Sequence, residues 1–116
     1  MDISIQSRGP VGVFQVEGPI RDGAHMELRH ALLDSIEGGR SWLVVDLSRG
    51  DLLDSAAIGE LVACLKRARE YGGDLKLVVR PQGIVHELLQ LMHLDRVFQI
   101  FGDEKEAYAA FANQPS

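Results

Sequence analysis

The sequence predicts a single α/β domain, a mixed sheet of four to five strands with helices packed mainly on one face. Three observations lead there. Over the first twenty residues apolar and polar side chains alternate with the two-residue period of strands. After residue 20 the period lengthens to that of amphipathic helices, and strand and helix patterns then take turns along the chain. Between the first two helical stretches stands "WLVVDL", residues 42–47, apolar with almost no alternation. A strand covered on both faces, central in its sheet, reads that way.

The elements follow in order. "DISIQS" puts Ile3 and Ile5 on one face and Ser4 and Gln6 on the other, a half-buried strand. "RGPVG" is a turn by its Gly and Pro content, and "VGVFQVEG" resumes strand character, so the first two strands are expected to pair as a hairpin. Residues 24–37 carry Leu28, Leu32, Leu33 and Ile36 at helical spacing, and Gly38 and Gly39 stop the helix. After the buried strand, a second helix is expected over residues 56–71, with Ile58, Leu61, Val62, Leu65 and Ala68 on its apolar face and Gly72 and Gly73 at its end. "DLKLVVR" is a strand with Leu75, Leu77 and Val79 facing one way, closed by Pro81. "GIVHELLQLM" is a short helix, "RVFQIF" a short strand, and "DEKEAYAAFA" a final helix with Asp103 as N-cap. The order β-β-α-β-α-β-α-β-α implies right-handed crossovers and parallel pairing after the hairpin. The main cluster is expected from Leu43, Val44, Val45, Leu47, Ile58, Leu61, Val62 and Leu65, with Trp42 opening the central strand. The domain is assigned to residues 1–112, and residues 113–116 to a short polar tail.

Composition limits the function classes. The 116 residues suit one domain, and 46% hydrophobic with 25% charged residues is ordinary for a globular protein. The net charge of −5, with no basic stripe, argues against nucleic acid as a partner. The lone cysteine, Cys64, lies in a helical pattern and reads as a small apolar residue. The N-terminal residues have neither a basic nor an apolar signal region, and no apolar run approaches the roughly 20 residues of a membrane span. A cytoplasmic protein without direct membrane insertion is expected.

The stretch "DLSRGDLLDSAAIG", residues 46–59, carries the chemistry. Ser55 stands between an acidic loop and a row of small residues. A serine before a helix ordinarily caps it, its oxygen accepting from an N2 or N3 backbone N–H for about 1 kcal/mol. Three features add to that. A strand leads into the loop, so the helix start lies at the carboxyl edge of a parallel sheet, where ligands and partners meet such folds. Ala56, Ala57, Gly59 and Ala63 let another surface approach closely. Asp54 adjoins the hydroxyl, an arrangement suited to alignment by a kinase.

At these residues the sequence resembles the STAS domain of bacterial anti-sigma factor antagonists. "VVDLSRGDLLDSAAIGELVACLKRAREYGGDLKLV" resembles the family's centre, with an aspartate–serine pair opening the second helix. "LLQLMHLDRVFQIFGDEKEAYAAF" resembles its end, where a short helix leads to "LDRVF" and an acidic-capped helix. The likeness runs through nearly the whole chain and is weakest over the first twenty residues. It implies a regulatory protein-interaction module. In that family the serine of the pair, which Ser55 matches by position, is phosphorylated by a partner that is both anti-sigma factor and serine kinase. The unphosphorylated antagonist binds that partner and frees the sigma factor, and a PP2C-type phosphatase reverses the modification. Family members usually follow the pair with Ser-Gly-Leu-Gly. Here Ala56 and Ala57 replace the first two, Ile58 replaces leucine and Gly59 matches. Arg21, with Asp22 beside it, stands where the family often has an acidic residue before the first helix. His93 falls where the family usually has Gly, and His tolerates a positive φ better than most residues. The expected partner-binding residues are therefore Arg21, Asp22, Asp54, Ser55, Ala56, Ala57 and Gly59, with Arg21 near the Ser55 end and able to pair with Asp54 or a phosphate. The alternative implied by the same resemblance is a non-switching STAS subunit of a larger assembly, either a stressosome-like complex or the cytosolic component of a membrane transporter.

Other chemistries lack support. His25, His30, His86 and His93 form no metal-binding spacing, and the carboxylates of Asp46, Asp51 and Asp54 read as a solvated acidic loop, so no metal is expected. The serine lies in "LDSAA" and not in G-x-S-x-G, and no phosphate-cradling glycine motif appears. Neither enzymatic activity nor a cofactor is expected.

Overall fold

The architecture is that of a five-stranded mixed sheet with four helices, seen in a computed structural model that describes residues 1–112. The tail expected over residues 113–116 lies outside the described residues. In chain order the elements are β1 (Asp2–Arg8), β2 (Val11–Glu17), α1 (Ala24–Glu37), β3 (Trp42–Arg49), α2 (Ser55–Glu70), β4 (Asp74–Val78), α3 (Ile84–Leu91), β5 (Ile100–Phe101) and α4 (Glu104–Ala112). A single 3-10 turn, Leu94–Arg96, precedes β5. The strands lie side by side in sequence order. β1 and β2 pair antiparallel through the tight turn at Gly9 and Pro10, and every later pairing is parallel.

β3 is central, as its unbroken apolar run requires. Leu43, Val45 and Leu47 face one core, shared with Phe14 and Val16 of β2, Leu75 and Leu77 of β4, and the inward stripes of α1, α2 and α3. Val44 faces the other way. It joins Val11, Val13, Val78, Ala107 and Phe111 in a smaller cluster beneath α4, and so departs from the single cluster expected. Trp42 stacks on Phe111 there, with ring centroids 5.5 Å apart. Val62 also departs from expectation, being only half-buried at the edge of the larger core. Three helices thus cover one face and the fourth covers part of the other.

The hairpin carries a further correction. Ile3 packs against the main core, but Ile5 is 60% exposed, and all of β1 apart from Ile3 is open to solvent. β2, by contrast, is buried on both faces over most of its length. The outer position of β1 explains the difference: it has a neighbouring strand on one side only.

Two backbone positions depend on their residues. A Cβ at Gly73 would fall 2.0 Å from the Ser41 carbonyl oxygen, so the turn from α2 into β4 admits only glycine. His93 adopts the left-handed conformation at φ 58° and ψ 23°, opening the 3-10 turn, as the reading of this position anticipated. Of residues 96–101, expected to form a strand, the first four are instead taken up by the end of that turn and the descent of Phe98 into the core. Only Ile100 and Phe101 pair with β4.

Beneath α4 lies a feature the sequence pattern did not show. Lys76, on the α4 face of β4, is wholly buried. Its ammonium donates to Asp74 and Gln99 and sits 4.4 Å from the centre of the Phe111 ring. The charge is thus met by a carboxylate, an amide oxygen and an aromatic face, the combination that a buried cation requires.

Candidate functional site

The carboxyl edge of the parallel strands is where two loops meet. The β2–α1 loop bonds to the β3–α2 loop through a parallel bridge between Ile20 and Leu53. The Ile20 N–H donates to the Leu52 carbonyl at 2.9 Å, and the Asp54 N–H donates to the Ile20 carbonyl at 3.1 Å. Both apolar anchors are buried. Arg21 and Asp22, directly after Ile20, therefore stand beside the start of α2, as expected. Asp22 is held at a positive φ of 55°.

Asp54, not Ser55, is the N-cap of α2. Its backbone is extended, at φ −81° and ψ 171°, and its carboxylate accepts the Ala57 N–H at 2.9 Å. Ser55 is the first helical residue, exposed to solvent. The expectation that the Ser55 hydroxyl caps the helix is corrected: both residue types cap well, and the extended backbone falls one residue earlier. Among the described residues the Ser55 hydroxyl has no hydrogen-bond partner in the protein.

The other expected site residues separate by orientation. Ala56 and Gly59 are exposed, and Ala63 continues their line four residues beyond Gly59 along α2. Ala57 is fully buried, so its methyl belongs to the core and not to the surface a partner would touch. A Cβ at Gly59 would meet nothing within 4 Å, so the fold itself does not require glycine there. Arg21 pairs with Asp22 at 3.5 Å, and the Asp54 carboxylate is already engaged as the cap, which corrects the expected Arg21–Asp54 pair.

The three loop aspartates do not form one cluster. Asp46 points to the α4 side of the sheet, where one of its oxygens accepts from the Ser48 N–H and hydroxyl. Its pKa reflects opposed effects. Burial raises it, but hydrogen bonds from Glu104 and Ser48 outweigh burial and hold it below the ordinary carboxylate value. Glu104 moves the opposite way, pushed up by sharing a hydrogen bond with Asp46 and by burial. Asp51 lines a groove of about 340 Å³ between this loop and α3, together with Gly50, Arg80, Gln82, Ile84 and Glu87. Arg80 crosses behind it, donating to the Ser48 carbonyl at 3.1 Å. Arg80 thereby ties the chain just after β4 to the end of β3, just before the loop that carries Asp51 and Asp54. It was missed in the sequence because an arginine at a strand end carries no spacing signal of its own.

The site is thus an exposed hydroxyl at the start of a sixteen-residue helix, beside a row of small residues and at the carboxyl edge of a parallel sheet. The chain matches the sequence profile of the STAS domain over residues 2–107 and belongs to that family. Its fold is that of the anti-sigma factor antagonists. An anti-sigma factor antagonist from Mycobacterium paratuberculosis superposes with a TM-score of 0.84 at 23% identity, over 94% of this chain and 92% of that one. A STAS domain protein of the same class from Planctomyces limnophilus gives 0.80 at 26% identity, over 97% and 100%. The antagonist SpoIIAA matches in its unphosphorylated form with a TM-score of 0.81 at 14% identity, over 99% and 100%. Its phosphorylated form, from Bacillus, matches at 0.73 and 16%, over 95% and 99%. Among the described residues no helix is long and apolar enough to cross a membrane.

Proposed function

We propose that the chain is a phosphorylation-switched antagonist. Unphosphorylated, it binds an anti-sigma factor that is also a serine kinase, through the exposed start of α2. Phosphorylated on Ser55, it releases that partner. A PP2C-type phosphatase restores the binding form. The observation that carries this reading is the division of labour at the helix start. Asp54 caps α2, so the Ser55 hydroxyl is exposed, fixed in place and free of structural duty.

A phosphate at Ser55 adds about −1.5 to −2 charges at neutral pH. The N–H groups of the first helical turn and the positive end of the helix dipole favour that charge by about 0.3–1 kcal/mol, so the fold tolerates it. A partner pressed against Ala56, Gly59 and Ala63 faces a different balance. It has to desolvate a doubly charged group next to Asp54, at a cost of several kcal/mol unless it supplies a counter-charge. Affinity then falls by about two decades or more, at about 1.4 kcal/mol per decade. SpoIIAA, a protein of the same fold, occurs in unphosphorylated and phosphorylated forms, which supports the reading that this fold accepts a phosphate.

The test uses wild-type, Ser55→Ala and Ser55→Asp proteins as baits in lysate of the source organism, with mass spectrometry of what is retained. Wild type and Ser55→Ala are expected to retain a GHKL-type kinase, and Ser55→Asp to lose it. The same kinase with ATP is expected to place phosphate on Ser55. Equal retention by all three proteins, or phosphate only at other residues, contradicts the switch and favours a non-switching subunit of a larger assembly.

A further inference from the structure

We propose that the outer edge of β1 is a self-association surface, on which a second copy of the chain pairs antiparallel to form one continuous sheet across the two-fold axis. The two sheet edges differ. The β5 edge is two residues long. The β1 edge runs seven residues, Asp2–Arg8, in unbroken register with β2, without bulge or proline. Folds ordinarily blunt such an edge with proline, a bulge or charges in mid-strand, because its unpaired N–H and C=O groups template another strand. Here the middle of the strand is instead an isoleucine: Ile5, 60% exposed.

The sequence of the strand is complementary to itself. With the two-fold axis at Ile5, Ile5 meets Ile5 of the partner subunit, Ser4 meets Gln6, Ile3 meets Ser7, and Asp2 meets Arg8. Both ends of the strand thus bring opposite charges directly across, and its centre brings two exposed apolar side chains together. Asp2 and Arg8 lie on the same face, since both are even positions of one strand. Among the described residues neither has an ion-pair partner within its own chain. Arg8 is held extended over the Tyr108 ring, 5.4 Å from its centre. Directly opposed charges and β-branched pairs are the contacts that stabilise an antiparallel register, and a two-fold pairing supplies each of the end contacts twice. A pairing limited to seven residues a side belongs to the weak, concentration-dependent class.

Sedimentation velocity from low-micromolar to near-millimolar concentration tests this, with circular dichroism confirming that each variant folds. Wild type is expected to pass from monomer to dimer. Ile5→Lys, which places two ammonium groups at the axis, is expected to remain monomeric. Asp2→Arg and Arg8→Asp each turn both end pairs repulsive, and each is expected to weaken the dimer by about tenfold or more on its own. Mixed in equal amounts, the two variants restore opposite charges at both ends and are expected to recover a heterodimer. A wild-type protein that stays monomeric throughout, a dimer indifferent to Ile5→Lys, or a mixture no stronger than its components would each overturn the proposal.

Discussion

Asp54 and Ser55 adjoin at the start of α2 and divide its chemistry between them. The carboxylate satisfies the Ala57 N–H, while the hydroxyl faces solvent. Asp54→Ala is therefore expected to cost about 1 kcal/mol, within the 0.5–2 kcal/mol range of lost caps, whereas Ser55→Ala leaves urea stability within about 0.5 kcal/mol of wild type. The reverse ranking in denaturant melts would return the cap to Ser55. Read from the sequence, the cap falls to Ser55; Asp and Ser are equally good caps, and only the backbone angle at position 54 separates them. Ala57 misled for a related reason. It belongs to a run of small residues, and its burial shows only when the helix is set against the sheet.

Glu104 and Asp46 make a second residue-scale prediction. The folded pKa of Glu104 lies above its ordinary value of 4.5 because it shares a hydrogen bond with Asp46 and is partly buried. The native state then holds this proton more tightly than the unfolded chain does. The stability it contributes is fully present below 4.5 and is lost as pH rises through the raised value. Asp46, lowered from 3.8, contributes in the other direction, losing its share as pH falls. Glu104→Gln keeps an amide donor for Asp46 and removes the ionisation. It is expected to flatten the decline in stability above pH 4.5, so that its gain over wild type is larger at pH 7 than at pH 4.5. A constant difference between the two proteins in urea melts across that range contradicts the shared proton.

At the scale of elements, α2 is held by a buried stripe. Leu61 is 1% exposed at its centre. Leu61→Ala is expected to cost about 2–5 kcal/mol. Against about 5–15 kcal/mol in total, that leaves a population prone to unfold at physiological temperature. A loss under about 1 kcal/mol would mean that the stripe is misassigned. α4 is fixed differently, by Phe111 against Trp42 and the Lys76 ammonium. Phe111→Ala is expected to cost about 3–5 kcal/mol, since it both opens a cavity and leaves a buried charge less well covered. Chemical denaturation measures it. α1 was legible because its leucines repeat on one face and glycines close it. β5 was not, because a six-residue apolar stretch fits a strand as well as a turn followed by a buried aromatic. Lys76 was illegible for a simple reason: a lysine within a strand reads as an outward face until α4 is seen to cover it.

At the scale of the molecule, the sheet gathers two loops at one edge. β2 and β3 run parallel, so the loops that follow them emerge side by side, and the Ile20–Leu53 bridge locks them together. The fold class was legible from the change of period alone. The serine's place at the carboxyl edge followed from the order of strands and helices. Its release from capping required the structure. The measurement that tests the account most directly is titration calorimetry of the proposed kinase partner against two preparations of the same chain, one unmodified and one carrying a single phosphate on Ser55. The account predicts matching melting temperatures within a few degrees and binding at least about a hundredfold weaker for the phosphorylated form. Equal affinities, or a loss of binding that tracks unfolding of the phosphorylated chain, would contradict it.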